Sequence, residues 1–435
     1  MGTSRRTRAA VIAAVLSVGC VSAARQTVRH HKIAEPDPSF PPELVQAESS
    51  IEKKDYATAE PLLQKVVAAD PRNYQAWFDL GFVYNGLGNP TESIAAYRKS
   101  VAAKPDVFES NLNLGLSLAK AGQPDAEQYL RAATELKPTA KPDEGRARAW
   151  LSLAVVLAPG KPEEAIAAYR QAAVLTPKDP EPHLAAGALL ERANHFADAE
   201  QEYKLALALD PASDEALTGL ANIYQRGNRF VDAQQMLDKI VALRPDDVQA
   251  RLELTRVLVL MGKTDDALAS AKALSKLEPG NPKVQRELAD LYVSAKKYDQ
   301  AEAVYRSLLT PKADADLHHA LGVALLEQRK FPEAEQEFLV AVKLKPDFGE
   351  AYGNLAVAAV ENKDYPLAIK AADARARFLP EIPISYFLRA SAYDHLRQFK
   401  LAAENYHKFL DAANGKYPDQ EWQARHRLIT IEPKK

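Results

Sequence analysis

The chain has 435 residues, 47% of them hydrophobic, and its 56 Lys and Arg nearly balance 58 Asp and Glu for a formal net charge of −2. That length ordinarily divides into about three domains of roughly 150 residues, while the neutral balance offers no general attraction to phosphate backbones or anionic lipid. A single cysteine, Cys20, excludes an intrachain disulfide and a cysteine-rich zinc or iron–sulfur site, so no structural metal and no cofactor is expected.

Arg5, Arg6 and Arg8 precede an uncharged stretch from Ala9 to Ala24, the pattern of a secretory signal. Its 16 residues fall short of the about 18 to 20 of a spanning helix. Val21, Ser22 and Ala23 form a small-x-small cleavage site, which predicts a signal peptide over 1–23 and an exported protein in the periplasm or cell envelope. A second reading stays open. Leu16 to Cys20 resembles a lipobox whose cysteine would receive lipid, although Ser17 stands where an apolar residue belongs. Ser4, Arg5 and Arg6 resemble a twin-arginine signal, but Arg8 occupies a place that signal keeps apolar. Residues 24–39 follow, rich in proline at Pro36 and Pro38 and leading into Pro41 and Pro42, a composition that favours extended chain and reads as a flexible tether. His30 and His31 within it lack further ligands nearby and read as part of a solvated tail.

From residue 40 the chain repeats itself. Small residues at Ala47, Gly81, Gly115, Ala154, Gly187, Ala221, Thr255, Ala289, Gly322, Ala356 and Ala390 recur every 33 or 34 residues, with one interval of 39. A second small series, including Ala59, Ser93, Ala165, Ala199 and Ala301, follows 11 or 12 residues behind, and proline closes almost every unit. Within Tyr74 to Val107, Trp77, Leu80, Gly81 and Tyr84 fall three and four apart, the spacing of an amphipathic helix. Gly86, Gly88, Asn89 and Pro90 break it. Ile94, Tyr97 and Val101 then mark a second helix that Pro105 ends. With almost no side chain at Gly81 and Ser93, the two helices can cross at about 8–10 Å.

The spacing of Trp77, Leu80, Gly81, Tyr84, Ser93, Tyr97 and Pro105 resembles the tetratricopeptide repeat, as do His183, Gly187, Ala199, Tyr203, Ala206 and Pro211, and Tyr352, Leu355, Ala356, Ala368 and Pro380. The resemblance implies an all-α, right-handed superhelical solenoid of about eleven antiparallel helix pairs over residues 40–413, with a protein-binding concave surface carried mainly by the first helix of each unit. The first unit departs from it with Glu43 in the bulky place, and the third and fourth each lose one residue between their helices. A six-residue excess near Lys141 to Arg146 predicts a protruding loop or a break in superhelical phase. Residues 414–435 read as a C-terminal cap, whose helix opens at Pro418 and carries Trp422 and Ile429 seven residues apart; a solenoid needs a terminal element with a polar outer face.

No Gly-x-Ser-x-Gly elbow, phosphate-binding glycine loop or His-Glu-x-x-His run is present, so the chain is read as a non-enzymatic scaffold. His318 and His319 point about 100° apart on a helix and cannot chelate one ion together. Tyr84, Tyr97, Tyr203, Tyr224, Tyr305 and Tyr406 take core places. Residues one place after the bulky position, and four later, predict the inner surface. In the second to fourth units these are Phe78 and Phe82, Leu112 and Leu116, and Leu151 and Val155, an apolar stripe for a protein or peptide partner, unless it packs against neighbouring repeats. Later units turn polar, with Asn222, Gln225, Arg226 and Arg286. A carboxylate clamp of the family would need Lys and Asn where Phe78 and Phe82 stand, and only Asn113 is suitably placed. Glu109, Glu181, Glu215 and Asp316 on or near this surface argue against the RNA-binding alternative, and lipid on Cys20 would make the chain a pilotin-like, membrane-tethered assembly factor instead.

Overall fold

The computed structural model describes residues 27–31, 41–309 and 314–432. The signal, Cys20 and most of the tether lie outside the described residues. The described residues are all α, with no strand, and no helix among them is long and apolar enough to cross a membrane. The chain forms two compact units, residues 1–243 and 244–435.

The first unit contains α1 (Pro42–Glu52), α2 (Tyr56–Ala69), α3 (Tyr74–Gly86), α4 (Pro90–Ala103), α5 (Phe108–Lys120), α6 (Ala126–Glu135), α7 (Pro142–Leu157), α8 (Pro162–Leu175), α9 (Glu181–Arg192), α10 (Phe196–Leu209), α11 (Asp214–Arg226) and α12 (Phe230–Leu243). The second contains α13 (Val248–Leu260), α14 (Thr264–Leu277), α15 (Pro282–Ser294), α16 (Tyr298–Leu308), α17 (Ala315–Glu327), α18 (Phe331–Leu344), α19 (Gly349–Glu361), α20 (Tyr365–Phe378), α21 (Pro383–His395), α22 (Phe399–Ala413) and α23 (Pro418–Ile431). Through α22 the helices pack as eleven consecutive pairs, the all-α repeat that the small-residue period predicts.

The small residues act as expected, and the structure shows what fills the space they leave. Ser93 Oγ donates 2.7 Å to the carbonyl of Gly81, joining α4 to α3. Tyr97 lies flat on Gly81, where an added Cβ would stand 2.7 Å from the ring. Leu130 covers Gly115, Tyr203 covers Gly187, and Phe338 covers Gly322 in the same way. Tyr203 also presses on Gly219 of α11, so one ring fastens α10 to the helices on both sides. Tyr97, Tyr203, Tyr224, Tyr305 and Tyr406 are all buried.

Turns between paired helices share one backbone device. Lys54, Gly88, Gly122, Asn194 and Asn228 in the first unit, and Gly262, Lys296, Arg329, Lys363 and Arg397 in the second, adopt positive φ just after the first helix of their pair. This left-handed residue closes the helix end and reverses the chain. The turn from α7 to α8 lacks it: Ala158 caps α7 at φ −51. That missing step coincides with the residue lost from the fourth repeat.

The six-residue excess does not protrude as a free loop. Part of it extends the N-terminus of α7, which has 16 residues where α3 and α5 have 13, and the preceding segment is pinned. Buried Glu109 accepts hydrogen bonds from Thr139 N at 2.8 Å and Thr139 Oγ1 at 2.7 Å, and Pro138 packs on Gly145. At the other end, α23 turns Ala424 and Leu428 toward Phe409 and Ala413, while Trp422 and Ile429 are exposed. The seven-residue pair therefore marks the outer face of that helix, and its inner face is set by the i,i+4 pair. Arg427 holds Asp394 of α21 through two bonds of 2.6 and 2.7 Å.

Acid–base clasps join successive pairs. Glu302 on α16 accepts from Lys330 at 2.8 Å, Gln328 at 2.9 Å and Arg306 at 2.8 Å. Burial works to raise its carboxyl, but these hydrogen bonds outweigh it and hold the group down at about 2. Glu127 with Lys161 and Arg131, and Glu200 with Arg229 and Lys204, repeat the arrangement in the first unit.

Three outcomes are expected. Gly187→Leu, forced against Tyr203, lowers stability by about 1–3 kcal/mol, whereas Lys204→Leu on the exposed side of α10 costs less; equal shifts of the urea midpoint would place the crossing elsewhere. Glu109→Ala removes two charge-assisted bonds and costs about 1.5–3 kcal/mol, an effect absent from urea melts if the segment at Thr139 is unpinned. Because the folded Glu302 pKa is depressed, its contribution is complete above the unfolded value of about 4.3 and is lost as pH falls toward about 2. Thermal melts should therefore show Glu302→Gln less stable at pH 7 with a flatter acid limb, and parallel limbs would refute the assignment.

Candidate protein-binding face

The first helices α3, α5 and α7 line up side by side within the first unit, and their shared face is where the sequence places the apolar stripe. Most of the stripe is covered in the structure. Phe78, Leu112, Leu116 and Leu151 are buried, and only Phe82 and Val155 are partly exposed. Phe78 is fully buried, its ring 5.8 Å from Tyr97, in a cluster with Ile94, Leu114 and Leu118. Part of what covers Phe78 is residues 27–31, since the His30 ring lies 6.3 Å from its own and Val28 packs on its cluster.

Polar residues lie on this face as well, of which the sequence reading had singled out only Asn113. Asp79 of α3 and Asn113 of α5 each stand two places before the glycine of their helix, and Arg148 lies near the start of α7. All three are buried. Burial, with Arg29 adding its repulsion, pushes the Arg148 guanidinium down to about 10.

Against these residues runs the segment 27–31, which the sequence reading took for a solvated tail. His30 Nε2 is 2.8 Å from Asp79 Oδ1, and its ring lies 5.1 Å from that of Phe82. Asn113 Nδ2 donates 2.9 Å to the carbonyl of Arg29. The Arg148 guanidinium donates to the carbonyl of Thr27, and Val28 packs on the Phe78 cluster. Burial pushes the His31 imidazole down, with the charge of Glu109 opposing and that of Arg148 adding to it. The chemistry of the face is therefore capture of main-chain carbonyls, flanked by one carboxylate and an aromatic edge. Asn113 is the one of these groups that the clamp comparison flags, and no motif marks Asp79 or Arg148.

The remaining candidates are separate from this cluster. Asn222 and Arg226 on α11 are exposed, with the Arg226 guanidinium 5.6 Å from the centre of the Phe196 ring. In the second unit Arg286 is half-buried and faces Asp314 at 3.6 Å. His318 and His319 go to different partners: His318 Nδ1 pairs with Glu337 at 2.7 Å, while His319 meets Asn354 at 2.9 Å and the Phe348 ring at 4.8 Å. His319, Asn354, Glu350 and Arg375 border a cleft of about 340 Å³ in this unit. Among the described residues, no group of three or more His, Cys, Asp or Glu could hold a metal ion.

Comparison with known proteins gives a consistent family. A model described as the cilia and flagella-associated protein 70 C-terminal domain, a tetratricopeptide-repeat model, matches residues 42–278, and two further tetratricopeptide-repeat models match residues 258–324 and 319–378. Tetratricopeptide repeat protein 37 of Xenopus laevis is 32% identical over 87 residues, which cover 20% of this chain and 6% of that protein. The chain therefore spans only a small part of that relative's length. A solved structure of Naa15/Naa10 bound to HypK-THB is similar over 89% of this chain and 65% of its own, at 14% identity and a TM-score of 0.45. That of Pseudomonas aeruginosa pilF is similar over 50% of this chain and 95% of its own, at 19% identity and a TM-score of 0.37.

The burial pattern separates packing from recognition along α3. Phe78→Ala should lower stability by about 3–5 kcal/mol whether or not a partner is present, while Phe82→Ala, half-exposed, costs clearly less. Similar losses of urea midpoint for the two variants would show that Phe82 is core as well.

Proposed function

The chain belongs to the tetratricopeptide-repeat family, and from that premise we propose that it is an exported, non-enzymatic scaffold that binds an extended segment of a partner protein on the α3–α5–α7 face. Repeats of this family are interaction scaffolds, which supports the general role. The observation that carries the specific one is the line of Asp79, Asn113 and Arg148 along three successive first helices, engaging the backbone and side chains of an extended stretch. A buried amide and guanidinium aimed at main-chain carbonyls read backbone more than sequence, the general device by which extended peptides are held. Half-exposed Phe82 and Val155 at the border add apolar anchors of the kind that dominate interfaces.

Export rests on the basic residues Arg5, Arg6 and Arg8 ahead of the apolar run to Ala24. The lipobox-like Leu16 to Cys20 favours a second form of the same reading, in which lipid on Cys20 tethers the scaffold to a membrane. A fusion of the full chain to alkaline phosphatase, active only after export, tests the first. Labelled fatty acid entering the wild type but not Cys20→Ser tests the second.

The binding role is tested with a photo-cross-linking residue in place of Phe82 or Val155, exposed to cell-envelope protein. Defined protein adducts are expected at both positions and not at Lys204 on the exposed side of α10. Adducts no stronger than those at Lys204 would end this reading.

A further inference from the structure

We propose that residues 27–31 are an intramolecular ligand of the α3–α5–α7 face, holding the binding site until a partner segment of the same chemistry displaces them. This rests on the reading of that face as a protein-binding surface and names what occupies it.

The segment has the marks of a bound peptide. Exposure alternates along it: Thr27, Arg29 and His31 are exposed, while Val28 and His30 are partly buried. That is the two-residue period of an extended chain with one side turned to a surface. The carbonyls of Thr27 and Arg29, also two apart, are the ones taken by Arg148 and Asn113. The chain crosses the first helices in reverse order, with Thr27 at α7, Arg29 at α5 and His30 at α3. Each receiving side chain is buried, and the segment supplies a partner to each of them. A loose tail resting on a surface would show neither the alternation nor three consecutive helices each contributing one buried polar group.

These contacts define the competitor. It is an extended protein segment with a small apolar residue at the place of Val28 and, two residues later, an imidazole or cation to meet Asp79. The residue between faces outward and is unrestricted. Only residues 32–40 separate the segment from Pro41 at the start of the array, and a link this short gives an effective concentration on the order of millimolar. A partner must overcome this occupancy, which lowers its apparent affinity by the fraction of sites left open.

The test uses a fluorescent peptide of residues 25–33, RQTVRHHKI, and the full chain. Its anisotropy is followed with the wild type, with Val28→Asp plus His30→Ala to expel the internal segment, and with that pair plus Asn113→Ala. Unchanged helicity and melting serve as the folding control. The expelled variant should bind the peptide at least tenfold more tightly than the wild type, and addition of Asn113→Ala should remove the gain. A peptide carrying the same two changes should not bind. Equal, Asn113-dependent affinity in wild type and expelled variant would overturn the intramolecular ligand while leaving the binding face intact. No peptide binding to either form would overturn it too, and cross-linking at position 82 then decides the scaffold reading by itself.

Discussion

In the pairs α3–α4, α9–α10 and α17–α18 a ring laid on a residue without a side chain sets the distance between the two helices, and most of what else α3 does follows from that distance. With Tyr97 against Gly81, α3 and α4 approach closely enough for Ser93 to reach the Gly81 carbonyl. The approach fixes rotation as well as spacing, because the glycine must face the ring. Once α3 is so rotated, Phe78 packs with Tyr97, Ile94 and Leu114, and Asp79, one residue further round, meets His30 on the proposed binding face. Asn113 stands in the same register on α5. The packing constraint and the binding face are thus two sides of one helix orientation.

Between pairs the coupling is of another kind. Tyr203 wedges between Gly187 and Gly219, and beside this apolar contact lies a recurrent electrostatic one. Glu127, Glu200 and Glu302, on the second helices, each take a base four residues later and another from the turn of the following pair. Exposed pairs of this sort contribute little one by one, but a carboxylate shared by two bases favours one register of neighbour on neighbour. A base at the clasp position reaches on to an acid at the start of the next second helix: Arg98 to Asp125, Arg131 to Glu164 and Arg306 to Glu333.

The helix pairs were legible because their cause is local: a small residue every 34 positions, with a bulky one about 16 later, is visible in the sequence alone. The recognition face was not. The stripe reading took the residue after the bulky position as open, whereas Phe78 and Leu112 are buried, Phe78 in part beneath His30 and Val28. The occupied site was hidden for a different reason. His30 meets Asp79 across 49 residues, Arg29 meets Asn113 across 84, and Thr27 meets Arg148 across 121. No periodicity links a short segment in front of the array to three separate repeats, and a pair of histidines beside prolines carries no motif. The excess before α7 was visible as a count, but whether it would protrude depended on Glu109, thirty residues away from Thr139.

The left-handed turn residues have a consequence for how the second unit comes apart. Lys296, Arg329, Lys363 and Arg397 are all basic, all exposed, and all sit at the tip between paired helices. A turn tip is the part of such a chain that enters a protease cleft, whereas the bonded backbone of a helix resists it. Trypsin therefore meets its own recognition residue once in each of the last four pairs, at the most accessible backbone, and brief digestion yields a ladder whose rungs are one repeat apart. Each cut falls inside a pair rather than between pairs, so the fragments begin on a second helix and end on a first, held together by the packing of the paired helices until the chain is unfolded.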